Sequence, residues 1–71
     1  MTHIQLLRML EGKMVEIRNW MMTTLAVDNL EDFNGDGIWM VGGWTFQVDD
    51  IDSIEFFARM AVINLTNTDK N

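Results

Sequence analysis

The stretch Asp32-Phe33-Asn34-Gly35-Asp36-Gly37-Ile38-Trp39-Met40-Val41-Gly42-Gly43-Trp44-Thr45-Phe46-Gln47-Val48 decides the fold. Asn34-Gly35 and Asp36-Gly37 both favour positive φ, the condition for the tight primed turns that join right-twisted antiparallel strands. Gly42-Gly43 is a second two-residue hairpin signal. The run after it alternates Trp44, Phe46 and Val48 against Thr45 and Gln47, the period of a half-buried strand. Ile38 to Val48 is therefore expected to be the middle of an antiparallel meander.

The first turn has a second reading. Asp32, Asn34 and Asp36 stand at the first, third and fifth positions of a D-x-N-x-D-G pattern, with Gly37 at its sharp bend, and this resembles the opening half of an EF-hand calcium loop. The resemblance implies Asp32, Asn34 and Asp36 as metal ligands and calcium as the cofactor. The pattern then departs: the twelfth position, where a bidentate Glu closes the shell, is Gly43, and the following segment reads as strand rather than helix. A plain hairpin turn, with no cofactor, is the first expectation.

Moving outward towards the N-terminus, Met14, Glu16 and Arg18 alternate with Val15, Ile17 and Asn19, which marks a strand between Lys13 and Trp20. A second strand is expected within Met21–Leu30 after a turn near Asn19 to Met22. Thr2 to Leu10 carries Ile4, Leu6, Leu7 and Leu10, an apolar band too wide for an exposed helix; Thr2 suits the N-cap and Gly12 the residue after the C-terminus. A short helix lying across the sheet follows.

Towards the C-terminus, Asp49 to Ser53 predicts one helical turn with an Asp cap. Beyond it the pattern forks. Ile51, Ile54, Phe57, Ala58, Ala61, Val62 and Leu65 fall at helical spacing, yet Phe56, Phe57, Val62 and Ile63 favour a strand, and period alone does not arbitrate. One outcome is a mainly β domain, a small antiparallel meander or SH3-like barrel with a short N-terminal helix. The other is α+β, with a C-terminal helix from about Asp50 to Leu65. The strand is adopted because the order Gly12-Lys13-Met14-Val15-Glu16-Ile17, a turn-rich middle, Gly37-Ile38-Trp39-Met40-Val41 and the closing Val48 to Phe56 resembles small SH3-like and Sm-like barrels. In those barrels a one-turn helix precedes the last strand. The resemblance spans Gly12 to Phe57 and carries over no functional residues.

With 71 residues, the chain is read as one domain, 1–71, with a polar tail frayed over 66–71. It contains no cysteine, which fits a reducing cytoplasm, and no apolar run approaching the roughly 20 residues that cross a bilayer. Eleven acidic residues face five basic ones, and Asn19 to Ala58 contains no Lys or Arg. A region so short of cations repels phosphates, which argues against direct nucleic-acid binding. An acidic face instead suits the basic groove of a nucleic-acid-handling protein, and Asp28, Glu31, Asp32, Asp36, Asp49, Asp50, Asp52 and Glu55, with Trp39 as an apolar anchor, are the expected partner-binding residues.

No catalytic constellation is visible. Ser53 has no histidine base in any motif, His3 sits beside the N-terminus, and acids clustered at a turn are ordinarily solvated rather than tuned for proton transfer. Two classes of function remain beside the calcium module. One is a non-enzymatic protein-binding domain, such as a small phage or mobile-element inhibitor; the other is a self-assembling barrel subunit, a homo-oligomer.

Overall fold

The structure, a computed structural model, describes residues 1–33, 35 and 37–66. It is mainly β with one short N-terminal helix. The helix α1 (His3–Leu10) begins at a reciprocal cap: Thr2 Oγ1 accepts from the Gln5 amide, and the Gln5 side chain accepts from the Thr2 amide at 2.9 Å. Leu7 and Leu10 are buried, and Gly12 leaves the helix at φ 81°. The strands are β1 (Met14–Arg18), β2 (Thr24–Phe33), β3 (Ile38–Val41), β4 (Trp44–Gln47), β5 (Ile51–Phe56) and β6 (Ala61–Leu65).

They form one sheet in the order β4-β3-β2-β1-β6-β5. The first four strands are the expected antiparallel meander. Gly42 takes φ 60° while Gly43 does not, so a type II′ pattern closes the β3–β4 hairpin through the Val41–Trp44 pair. The remainder differs in detail from the sequence reading. Residues 51–65 make neither a helix nor a single last strand but a hairpin, and its second strand, β6, inserts beside β1 in parallel. Asn64 is 7% exposed within that strand. Thr66 donates its amide to the Asp50 carbonyl at 2.8 Å, and the rest of the expected frayed tail lies outside the described residues.

The chain's own connection forces the sheet to curl. A flat six-stranded sheet separates its edges by about 24 Å, five spacings of roughly 4.8 Å. The edge strands β4 and β5 are joined only by a 3-10 turn, Val48–Asp50, whose Cα steps from Gln47 to Ile51 reach at most about 14 Å. The sheet must therefore bend into a half-barrel. Val15, Ile17, Leu30, Trp39, Val41, Phe46, Ile51 and Ile63 fill its concave side, with Leu7 and Leu10 of α1 packed on the same core. Trp39, at 1% exposure, is the largest fully buried side chain. No helix among the described residues is long and apolar enough to cross a membrane.

A tryptophan-flanked acidic cleft as the candidate functional site

The backbone departs from regularity at one end of the half-barrel. Between β1 and β2, Asn19 Oδ1 accepts the amides of Met21 and Thr23, both at 2.9 Å, which holds Trp20, Met21 and Met22 on a tight turn. Trp20, Met21 and Met22 are 48%, 64% and 59% exposed. Met22 has φ 65°, left-handed backbone that costs a side-chain-bearing residue about 1–2 kcal/mol. Next to this turn the β1–β2 register slips between Ile17 and Arg18, leaving Leu25 as an extra residue. At the same end of the sheet, the β5–β6 register slips at Asp52. Such bulges bend a strand and re-aim its side chains.

These irregularities frame two adjoining hollows. In the larger, about 420 Å³, Trp20 and Trp44 stand on the lining with Leu25, Phe46, Leu65 and Asp50. The second, about 380 Å³, shares Trp20 and Leu65 and adds Met22, Asp52, Ser53 and Glu55. Among the described residues, neither lining contains a Lys or Arg. Asp50 Oδ2 accepts the Gln47 amide at 2.9 Å and so pins the 3-10 turn, whereas Asp49 and Asp52 are exposed.

The floor of the second hollow is a polar band on the convex face. Asn64 Nδ2 donates to Ser53 Oγ at 3.1 Å and to Glu55 Oε1 at 2.8 Å. One strand over, Glu16 Oε2 accepts from Arg18 Nε at 2.7 Å and from the Thr24 hydroxyl. The Arg18 hydrogen bond, then that of Thr24, holds the Glu16 carboxyl below its ordinary value, and the same Glu16 contact raises Arg18. A carboxyl with a depressed folded pKa contributes stability that is present above the unfolded value and lost as pH falls through the folded one. Acid titration of Glu16→Gln, followed by urea melts, is expected to show a shallower loss of stability in the acid range than the parent chain; parallel acid limbs for the two would contradict this assignment.

The expected binding residues divide. Asp49, Asp50, Asp52 and Glu55 gather on the 3-10 turn and β5, three of them on the cleft linings. Asp28, Glu31 and Asp32 lie on β2, away from both hollows, and Asp36 lies outside the described residues. Trp39 is no surface anchor: the strand alternation that separates it from Ile38 and Met40 points it into the concave core, opposite Asp32 in the β2–β3 register. Asp32 Oδ1 and Trp39 Nε1 are each buried without a hydrogen-bond partner among the described residues. Of the calcium ligands, Asn34 and Asp36 lie outside the described residues, and among the described residues no three His, Asp or Glu side chains stand together as metal ligands. The exposed indoles are Trp20 and Trp44. Their signal in the sequence was position, Trp20 beside a turn and Trp44 at the mouth of the Gly42-Gly43 hairpin.

Met22 offers a direct test of whether that turn stores backbone strain. Met22→Gly is expected to raise unfolding stability by about 0.5–1 kcal/mol, the left-handed cost less the extra chain entropy of glycine. A melt showing destabilisation would mean that the Met22 side chain supports the fold instead. Comparison with known proteins finds no family model that matches the chain, and no curated protein or solved structure that is significantly similar to it.

Proposed function

We propose that this chain is a non-enzymatic, cytoplasmic protein-binding domain that docks its acidic cleft on the basic groove of a nucleic-acid-handling protein, as a small phage or mobile-element inhibitor would. The observation that carries this reading is the pair of half-exposed indoles, Trp20 at 48% and Trp44 at 47%, on one cleft whose charged lining is acidic. Large aromatic groups left in water beside carboxylates suit a partner that offers apolar platforms between cations. Grooves for single-stranded nucleic acid have that composition, Lys and Arg along the backbone path and aromatic rings on which bases stack. The carboxylates steer the encounter and the indoles hold the complex.

The experiment is capture of partners from the native host at low and high salt, followed by displacement with a single-stranded oligonucleotide. A partner retained at low salt, released as the Debye length shrinks from about 10 Å to about 3 Å, and displaced by the oligonucleotide supports the reading. Capture unchanged by salt, or by replacing Asp49, Asp50 and Asp52 with Asn, contradicts it. Asn at position 50 keeps the acceptor for the Gln47 amide, so the fold is preserved in that variant.

A further inference from the structure

The opposite end of the sheet carries the complementary surface. Because β1 and β6 run parallel, Arg18 and Leu65 lie at the cleft end, and Met14 and Ala61 at the other, where Phe56 pairs with Ala61. There Phe57 to Met60 make the tip of the β5–β6 hairpin, closed by the Phe57 amide on the Met60 carbonyl at 3.0 Å. Phe57 is 59% exposed, Phe56 55%, Met9 52% and Met14 49%. They line a depression of about 370 Å³ whose charged residues, among those described, are Lys13 and Arg59, both exposed, with no described carboxylate. Four of the five cations, Arg8, Lys13, Arg18 and Arg59, are described, and only Arg18 is in an ion pair with a described residue.

We infer that the occupant of this end is a second copy of the chain: the Phe57-Ala58-Arg59 tip of one copy seats in the Trp20–Trp44 cleft of the next, with Arg59 against Asp50 and Asp52. Charge selects this head-to-tail arrangement over the two-fold alternatives. Tip to tip places Lys13 and Arg59 against themselves, and cleft to cleft places Asp50 and Asp52 against themselves; both juxtapose like charges. The formal net charge of −6 does not forbid it, since the molecule measures 33 × 29 × 25 Å and centres that far apart lie several Debye lengths from one another at physiological ionic strength. A heterologous contact propagates, into a ring if its rotation closes and a chain if it does not. It uses the cleft assigned above to a foreign partner, so assembly would mask that surface. The inference stands on self-association alone and survives if no nucleic-acid-handling partner exists.

Sedimentation of the purified chain over a concentration series tests it, with two variants each confirmed folded by circular dichroism. The tip variant is Phe57→Ala with Arg59→Glu, the cleft variant Trp20→Ala with Asp52→Asn; all four positions are exposed. The parent is expected to grow in mass with concentration, and each variant alone to associate at least about tenfold more weakly. Their mixture retains one intact tip and one intact cleft, and is expected to form a one-to-one pair that grows no further. A parent monomeric throughout, a variant that associates like the parent, or a mixture that stays monomeric overturns the inference.

Discussion

Replacing Trp39 with alanine is expected to remove about 3–5 kcal/mol of folding stability. A domain of this length has a total of roughly 4–10 kcal/mol to lose, so the variant should be largely unfolded near physiological temperature. The reason is position. Trp39 is 1% exposed, its cross-strand partner Phe46 is 3% exposed, and Leu30 and Val41 on the same face are sealed from water, so the vacated volume has no mobile neighbour to collapse into it. Urea melts of three substitutions separate the contributions. Trp39→Phe keeps an aromatic ring and removes the buried Nε1, which has no partner among the described residues, and should cost about 1–2 kcal/mol, less than the alanine change. Trp20→Ala should cost under about 1 kcal/mol, because that indole is already half in water. Equal losses at positions 20 and 39 would mean that the core has been misplaced.

The second large effect runs the other way, on binding with the fold intact. Each cleft indole leaves about 100 Å² still to be covered, given the 150–250 Å² an aromatic side chain buries, which at about 25 cal/mol per Å² is worth roughly 2–3 kcal/mol before the cost of ordering. Trp20→Ala with Trp44→Ala should therefore weaken the complex with the captured partner by about a hundredfold or more, at 1.4 kcal/mol per tenfold. Titration calorimetry reads this directly. The triple change of Asp49, Asp50 and Asp52 to Asn should act differently, lowering the association rate and flattening its salt dependence more than it speeds dissociation. If removing both indoles left the affinity within about twofold, the cleft would not be the contact surface.

The residues that announced themselves in the sequence were those whose local chemistry permits few alternatives. Thr2, Gly12 and Gly42-Gly43 each satisfy a backbone requirement that few other residues meet, and the helix and the β3–β4 hairpin stand where those residues put them. The β5–β6 hairpin was hidden because its turn, Phe57-Ala58-Arg59-Met60, contains none of the Gly, Asn, Asp or Pro that mark a reversal. β2 begins later and ends later than expected, because Asn19 takes Met21 and Thr23 into its turn and the strand then continues to Phe33. The cleft was legible only as composition. Alternation separates Trp39 from Met40 but does not say which face is concave; that depends on the short Val48–Asp50 connection that bends the sheet. The apolar, cationic end was missed for a related reason: Met9 and Met14 are far in sequence from Phe56 and Phe57, and only the parallel β1–β6 pairing brings them together.

That pairing also governs the order in which the molecule can assemble. The β2–β3 and β3–β4 hairpins close over a few residues and can form within microseconds, whereas Val15 must find Ala61 across the whole intervening chain. Until β6 slots between β1 and β5, Ile17 and Ile51 have no neighbour on that side and the half-barrel has no floor. Folding should thus wait on one distant encounter, with a rate typical of β-proteins rather than of helical ones, and shortening the chain before Ala61 should abolish the domain rather than trim it.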